Sequence, residues 1–152
     1  MASMNSFEKA VAAVPDVAGG YCQGLAALGS DSRYVTVGET RSLDGSVDID
    51  SCTKSLYPDA NRWDYVISYA GKAYYVEVHP ATGGMVKVME AKLAWLKQWL
   101  RQKAKPLEEY PAGSPRFSWV HTGKCGLSKT STEYRRAAMM GLIPRKSLRF
   151  GK

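Results

Sequence analysis

The sequence predicts an α/β (α+β) chain built on a single mixed central β-sheet with helices against it. Three stretches carry that expectation. Residues 62–79, RWDYVISYAGKAYYVEVH, hold two runs of strand formers around a glycine turn. Residues 85–105 repeat apolar side chains at helical spacing, and RFSWVH at 116–121 supplies a strand after that helix. Strands ahead of a long helix and a strand behind it make a layered fold with one sheet.

In chain order, residues 6–14 read as a short helix with Phe7, Ala10, Val11 and Val14 on one side, stopped by Pro15. Residues 17–28 suggest a second helix, weakened by Gly19, Gly20 and Gly24. Residues 33–40 read as a strand, Asp44-Gly45 as a turn and 46–49 as a further short strand. If that strand continues, Asp48 and Asp50 point the same way. Pro58-Asp59 marks a turn into the hairpin. In 85–105, Met85, Val88, Met89, Leu93, Leu96, Trp99 and Leu100 form the stripe that packs on the core, and Pro106 ends it. Thr130 and Glu133 have the spacing of a capping box opening a last helix over 131–140, with Gly141 closing it. Helices on either side of the strand block can cover both faces of the sheet.

The 152 residues suffice for one domain with a real core, spanning 1–152. Met1-Ala2-Ser3 ahead of Met4 reads as an expression remnant. No apolar run reaches membrane-spanning length and no leader pattern opens the chain, so a cytoplasmic protein without a membrane partner is expected. Cys22, Cys52 and Cys125 have neither zinc-ligand spacing nor the arithmetic of a disulfide framework. No phosphate-binding glycine loop and no GxSxG elbow occurs.

The net charge of +7 is concentrated at the C-terminal end. From Lys124 onward there are eight basic residues and one acid, so residues 1–123 balance to zero. A neutral body with a basic end points to a polyanionic partner. Lys124, Lys129, Arg135, Arg136, Arg145, Lys146 and Arg149 are the expected nucleic-acid contacts, with 145–152 a mobile basic tail whose removal leaves the fold intact.

The hairpin carries the candidate chemistry. A two-residue turn at Gly71-Lys72 sets Asp64 across from His79 and Val66 across from Glu77. One face is then apolar: Trp63, Tyr65, Ile67 and Tyr69 with Tyr74, Val76 and Val78. The other carries Asp64 and Glu77 as diagonal neighbours, about 7 Å apart at the backbone. Two carboxylates at that spacing can share a hard divalent cation, aided by Asp50 or Asp48. A turn one residue longer would put them on opposite faces.

Asp64, then Glu77-Val78-His79 a dozen residues on, then a helix and a strand, resembles the restriction-endonuclease-like superfamily, known by its PD-(D/E)xK motif. The resemblance covers residues 33–120. It implies a restriction-endonuclease-like fold and metal-dependent hydrolysis of phosphodiester bonds in DNA or RNA, with Mg²⁺ or Mn²⁺ as cofactor. It implies Asp64 and Glu77 as metal ligands. The motif lysine is replaced by His79, which can serve as base or ligand. Family members also supply that lysine from the following helix, which brings in Lys87 and Lys92. A homodimer is the expected assembly if both strands of a duplex are cut. Two readings stay open beside the nuclease: an inactive nucleic-acid-binding module of the same fold, and a protein-interaction domain.

Overall fold

The computed structural model describes residues 3–151; Met1, Ala2 and Lys152 lie outside the described residues. A four-stranded mixed sheet forms the centre, in the order β2–β3–β4–β5. Strands β2 (Leu43–Asp48), β3 (Tyr65–Tyr69) and β4 (Lys72–Pro80) run as an antiparallel meander. Strand β5 (Ala112–Thr122) lies parallel to β4. The connection between them is α3 (Met85–Gln102), because a parallel pair needs a crossover long enough to return the chain. A separate parallel pair joins β1 (Val35–Val37) to β6 (Leu148–Phe150).

The hairpin turn is Ala70-Gly71, not Gly71-Lys72. Both residues have positive φ, 52° and 76°, the conformation of a type I′ turn. Tyr69 pairs with Lys72 and Tyr65 with Val76. Continuing that register by one residue sets Asp64 opposite Glu77, where Gly71-Lys72 would have set it opposite His79. The shift is an even number of residues, so the faces stay as expected. Tyr65, Ile67, Tyr69, Tyr74, Val76 and Val78 share one apolar cluster, and Val66, Tyr75 and Trp119 lie in the other. Trp63, just outside the strand, belongs to the second cluster.

The α-helices do not divide between the two faces. Apolar residues of α1 (Ser6–Ala12), α3, α4 (Lys105–Glu108) and α5 (Thr132–Met139) all pack in the cluster containing Val66 and Tyr75. The opposite face is covered by Leu28 from a 3-10 stretch and by Val35, Leu148 and Phe150 of the β1–β6 pair. The helix expected at 17–28 is replaced by short 3-10 turns at Pro15–Val17 and Ala26–Tyr34. Between them, Cys22 bridges to Ser46 on the edge of β2. Glycine's low helix propensity explains the break. Asp44-Gly45 lies within β2 at a register shift, not in a turn.

The C-terminal segment is not a free tail. Arg145 N–H donates to Trp119 O and its carbonyl accepts from His121 N–H, both at 2.9 Å, so it extends the sheet past β5. Leu148 and Phe150 are then buried on the second face. Alternation explains this: in KSLRFG the apolar residues are two apart, so one side of a short strand is apolar. The last helix is capped by Ser131, whose hydroxyl accepts from Tyr134 N–H, one residue later than the Thr130–Glu133 spacing suggests. Among the described residues no helix is long and apolar enough to cross a membrane.

Candidate functional site

The sheet face beneath α3 carries a buried charged cluster. Glu77 is completely buried. Its Oε2 accepts from Asp64 N–H at 2.7 Å, and Asp64 Oδ2 accepts in turn from Val78 N–H at 3.0 Å. The two carboxyls thus clasp each other's strand, which is what direct opposition across the hairpin allows. The third member comes from α3. Lys92 Nζ stands 2.6 Å from Glu77 Oε1 and donates to Arg62 O at 3.0 Å.

Lys92 can reach Glu77 because α3 returns over the strand it follows. Val86, Met89, Leu93, Leu96 and Leu100 pin the helix to the sheet at helical spacing. Lys92 lies beside that stripe, and its long stem carries the ammonium under the helix. Arg62 closes the edge of the cluster. Its Nε donates to Asp50 Oδ1 at 2.7 Å and its Nη1 to Tyr57 O at 2.7 Å.

Burial pushes the Glu77 carboxyl up to about 8, the Asp64 charge adds to that, and Lys92 opposes it. Asp64 is raised to about 6, again first by burial, with Val78 N–H and Lys92 opposing and Asp50 and Asp31 adding repulsion. The cause is ordinary: two carboxyls in one poorly solvated place cannot both ionise freely. Of the two, Glu77 is the one whose burial favours a proton at neutral pH, with the Lys92 ammonium as the opposing counter-charge.

The other expected site residues fall around this centre. His79 is at the same end of the sheet, and its Nε2 lies 3.0 Å from Met85 Sδ, so its polar contact is to α3's first residue and to neither carboxyl. Burial, then Lys92, lower its pKa. Lys87 is exposed in a cleft between the start of α3 and α5, lined also by Gly83, Thr132 and Glu133. Asp50 is held by Arg62 instead of joining Asp64 and Glu77. Asp48 caps α2 (Ile49–Thr53), accepting from Ser51 N–H at 2.9 Å. Strand β2 ends at Asp48, so the shared direction of Asp48 and Asp50 is lost. Among the described residues no group of three or more His, Cys, Asp or Glu is placed to hold a metal ion.

Of the basic residues at the C-terminal end, Lys124, Lys129, Arg135, Arg145, Lys146 and Arg149 are exposed. Arg136 is also exposed but forms a two-point ion pair with Glu90 of α3, at 2.9 and 3.0 Å. No protein-family model matches the chain, and neither do curated proteins or solved structures.

Proposed function

We propose that the chain is a metal-dependent, nuclease-like domain of restriction-endonuclease-like fold that hydrolyses phosphodiester bonds in DNA or RNA. One observation carries the reading: Asp64, Glu77 and a lysine from the following helix meet at a single point, with Lys92 Nζ 2.6 Å from Glu77 Oε1. The order of helix, three antiparallel strands, helix and parallel strand supports it. Lys92 supplies the cation that His79 does not.

Mg²⁺ or Mn²⁺ fits the donor set by its chemistry. Asp64 and Glu77 are carboxyls whose ionisation is unfavourable without a counter-charge. Mg²⁺ is commonly held by one or two carboxylates together with substrate phosphates, so a complete protein cage is unnecessary. When bound, such an ion supplies charge neutralisation at phosphorus and an activated water. The chain's own groups do the rest. Val78 N–H fixes the Asp64 carboxylate, and Asp64 N–H fixes that of Glu77. Arg62 O holds the Lys92 ammonium, which neutralises developing negative charge on a phosphate oxygen.

Cleavage of labelled DNA and RNA is expected to require Mg²⁺ or Mn²⁺. Glu77→Gln and Lys92→Met should each lower the rate about 100-fold or more, the scale of losing one preorganised electrostatic group. His79→Ala should matter far less. Full activity in EDTA would sink the reading. Because the ligands bind metal in their deprotonated form, Mg²⁺ affinity by calorimetry should rise as pH goes from 6 to 8. The second reading, a non-catalytic nucleic-acid-binding module, is favoured by the absence of a three-residue metal group among the described residues. Nucleic-acid binding without any Mg²⁺ heat would select it.

A further inference from the structure

The C-terminal half of α3 and the residues after it, WLKQWLRQKAK over 95–105, interleave aromatic and basic residues with no acid among them. Surfaces that bind single-stranded nucleic acid combine the same two ingredients, rings for the bases and cations for the backbone. The fold adds a third ring. Trp95 and Trp99 lie nearly parallel, 5.7 Å between centroids and 12° between planes. Tyr57 stands edge-on to Trp95 at 6.0 Å. With Gln98, Gln102 and Lys103 they line an open cleft of about 170 Å³.

The walls of this cleft are held from behind. Asp16 Oδ2 accepts from Tyr57 Oη–H at 2.6 Å and from Trp99 Nε1–H at 3.0 Å. Trp99 is thereby buried, while Trp95 is only partly covered and Gln98, Gln102 and Lys103 are exposed. Rigid rings with adaptable amides at the rim suit a flat heterocycle with polar edges. A quaternary ammonium suits the cleft less: Lys103 adds like charge, and the one carboxylate behind the rings already accepts two hydrogen bonds.

The cleft lies beside the Glu77 cluster on the same helix and loop. Trp95 follows Lys92 by three residues, about 4.5 Å along the helix and on the same side. Arg62 accepts from Lys92 through its carbonyl and donates to Tyr57 O through Nη1. One loop therefore forms a wall of both places.

We propose that the Tyr57–Trp95–Trp99 cleft is a stacking subsite for one unpaired base of a single-stranded nucleic acid whose backbone runs toward Lys92. The substrate of the proposed hydrolase is then single-stranded. The cleavage part rests on the function proposed above; the base-binding part does not.

Anisotropy of fluorescein-labelled oligo(dT) and oligo(U) of about 12 nucleotides, within the usual site size, tests this in EDTA, where no hydrolysis is expected. Both single strands, or one of them, should bind more tightly than a duplex of equal length. Trp95→Ala should weaken that binding about tenfold, as loss of one stacked base does, with Trp95→Phe largely restoring it. Gln98→Ala and Lys103→Glu, on exposed positions that leave the core untouched, should each weaken it several-fold. Trp63 and Trp119 are fully buried away from the cleft, so quenching of tryptophan emission should come from Trp95 and Trp99 and should fall in Trp95→Ala. Equal affinity for duplex and single strand, or unchanged affinity in Trp95→Ala and Lys103→Glu, would overturn the proposal. Single-strand binding lost with Trp95 but no Mg²⁺-dependent cleavage would leave this subsite standing and end the hydrolase reading. Cleavage with affinity indifferent to Trp95 would do the reverse.

Discussion

The two faces of one hairpin differ in kind. Tyr65, Ile67, Tyr69, Tyr74, Val76 and Val78 point into a cluster closed by Val35, Leu148 and Phe150, with Tyr69 stacked on Phe150 at 5.3 Å. On the other face, Val66 and Tyr75 share their layer with Asp64, Glu77 and Lys92. The first face is explained by burial of apolar area alone. The second is not, because a buried ion pair is often no more stable than apolar side chains of the same volume. On the function proposed above, the buried carboxyl beside a second carboxyl is kept for its chemistry, and the apolar face packs the other side of the same hairpin.

The largest effect should come from the apolar side. Deleting residues 145–152 removes Leu148 and Phe150 from the core and Arg145 from the edge of β5. Loss of those two side chains alone is worth about 5 kcal/mol or more. Urea denaturation should show a destabilised or unfolded chain, whereas a soluble basic tail would leave the midpoint where it was. Ile67→Ala, on the same face, should lower stability by about 2–5 kcal/mol. The rate per folded molecule should be unaffected, since Ile67 points away from Glu77.

On the polar face the order of effects reverses. Lys92→Met leaves Glu77 without its cation, so at pH 10, where Glu77 is ionised beside Lys92 in the unchanged chain, the fold should lose about 2–3 kcal/mol. At pH 5 the loss should be small, because Glu77 then holds a proton. Equal losses at both pH values would show that Lys92 acts through packing only.

Glu77→Gln isolates the titration. Glu77 is raised in the fold to about 8, well above the ordinary value for a glutamate. Between those pH values the folded chain holds a proton that the unfolded chain has lost. Stability should therefore fall as pH rises from about 4.5 to about 8 and level off above, each unit of the shift counting for about 1.4 kcal/mol. The Gln variant should flatten that slope; an unchanged slope would place the titrating group elsewhere.

The smallest effect concerns the turn that sets both faces. Ala70 is held at φ 52°, where an ordinary side chain is strained. Ala70→Asn should stabilise the hairpin by about 1 kcal/mol, because Asn-Gly is a favoured type I′ pair. A loss of stability would mean that the turn tolerates only the small side chain.

Alternation along YVISY and YYVEV determines which residues share a face, and it holds for any turn of even parity, so Asp64 and Glu77 were legible as neighbours in the chain itself. The helix stripe from Met85 and the strand at 116–121 were legible for the same reason: a period repeats and leaves a pattern. The capping spacing misled by one residue because Thr130 and Ser131 are both competent caps. What the chain could not reveal is where separate elements meet. Ala70 entering the left-handed region moved the register by two residues, and only then does Glu77 lie under Asp64. Lys87 and Lys92 are equivalent in sequence, and the docking angle of α3 alone brings Lys92 to Glu77. Asp50 was drawn off by Arg62, twelve residues away in sequence. The last residues looked like a charged tail because lysine and arginine dominate them. Their two apolar side chains count only once β1 offers a partner strand, and hydrogen bonds between distant segments leave no local trace in the sequence.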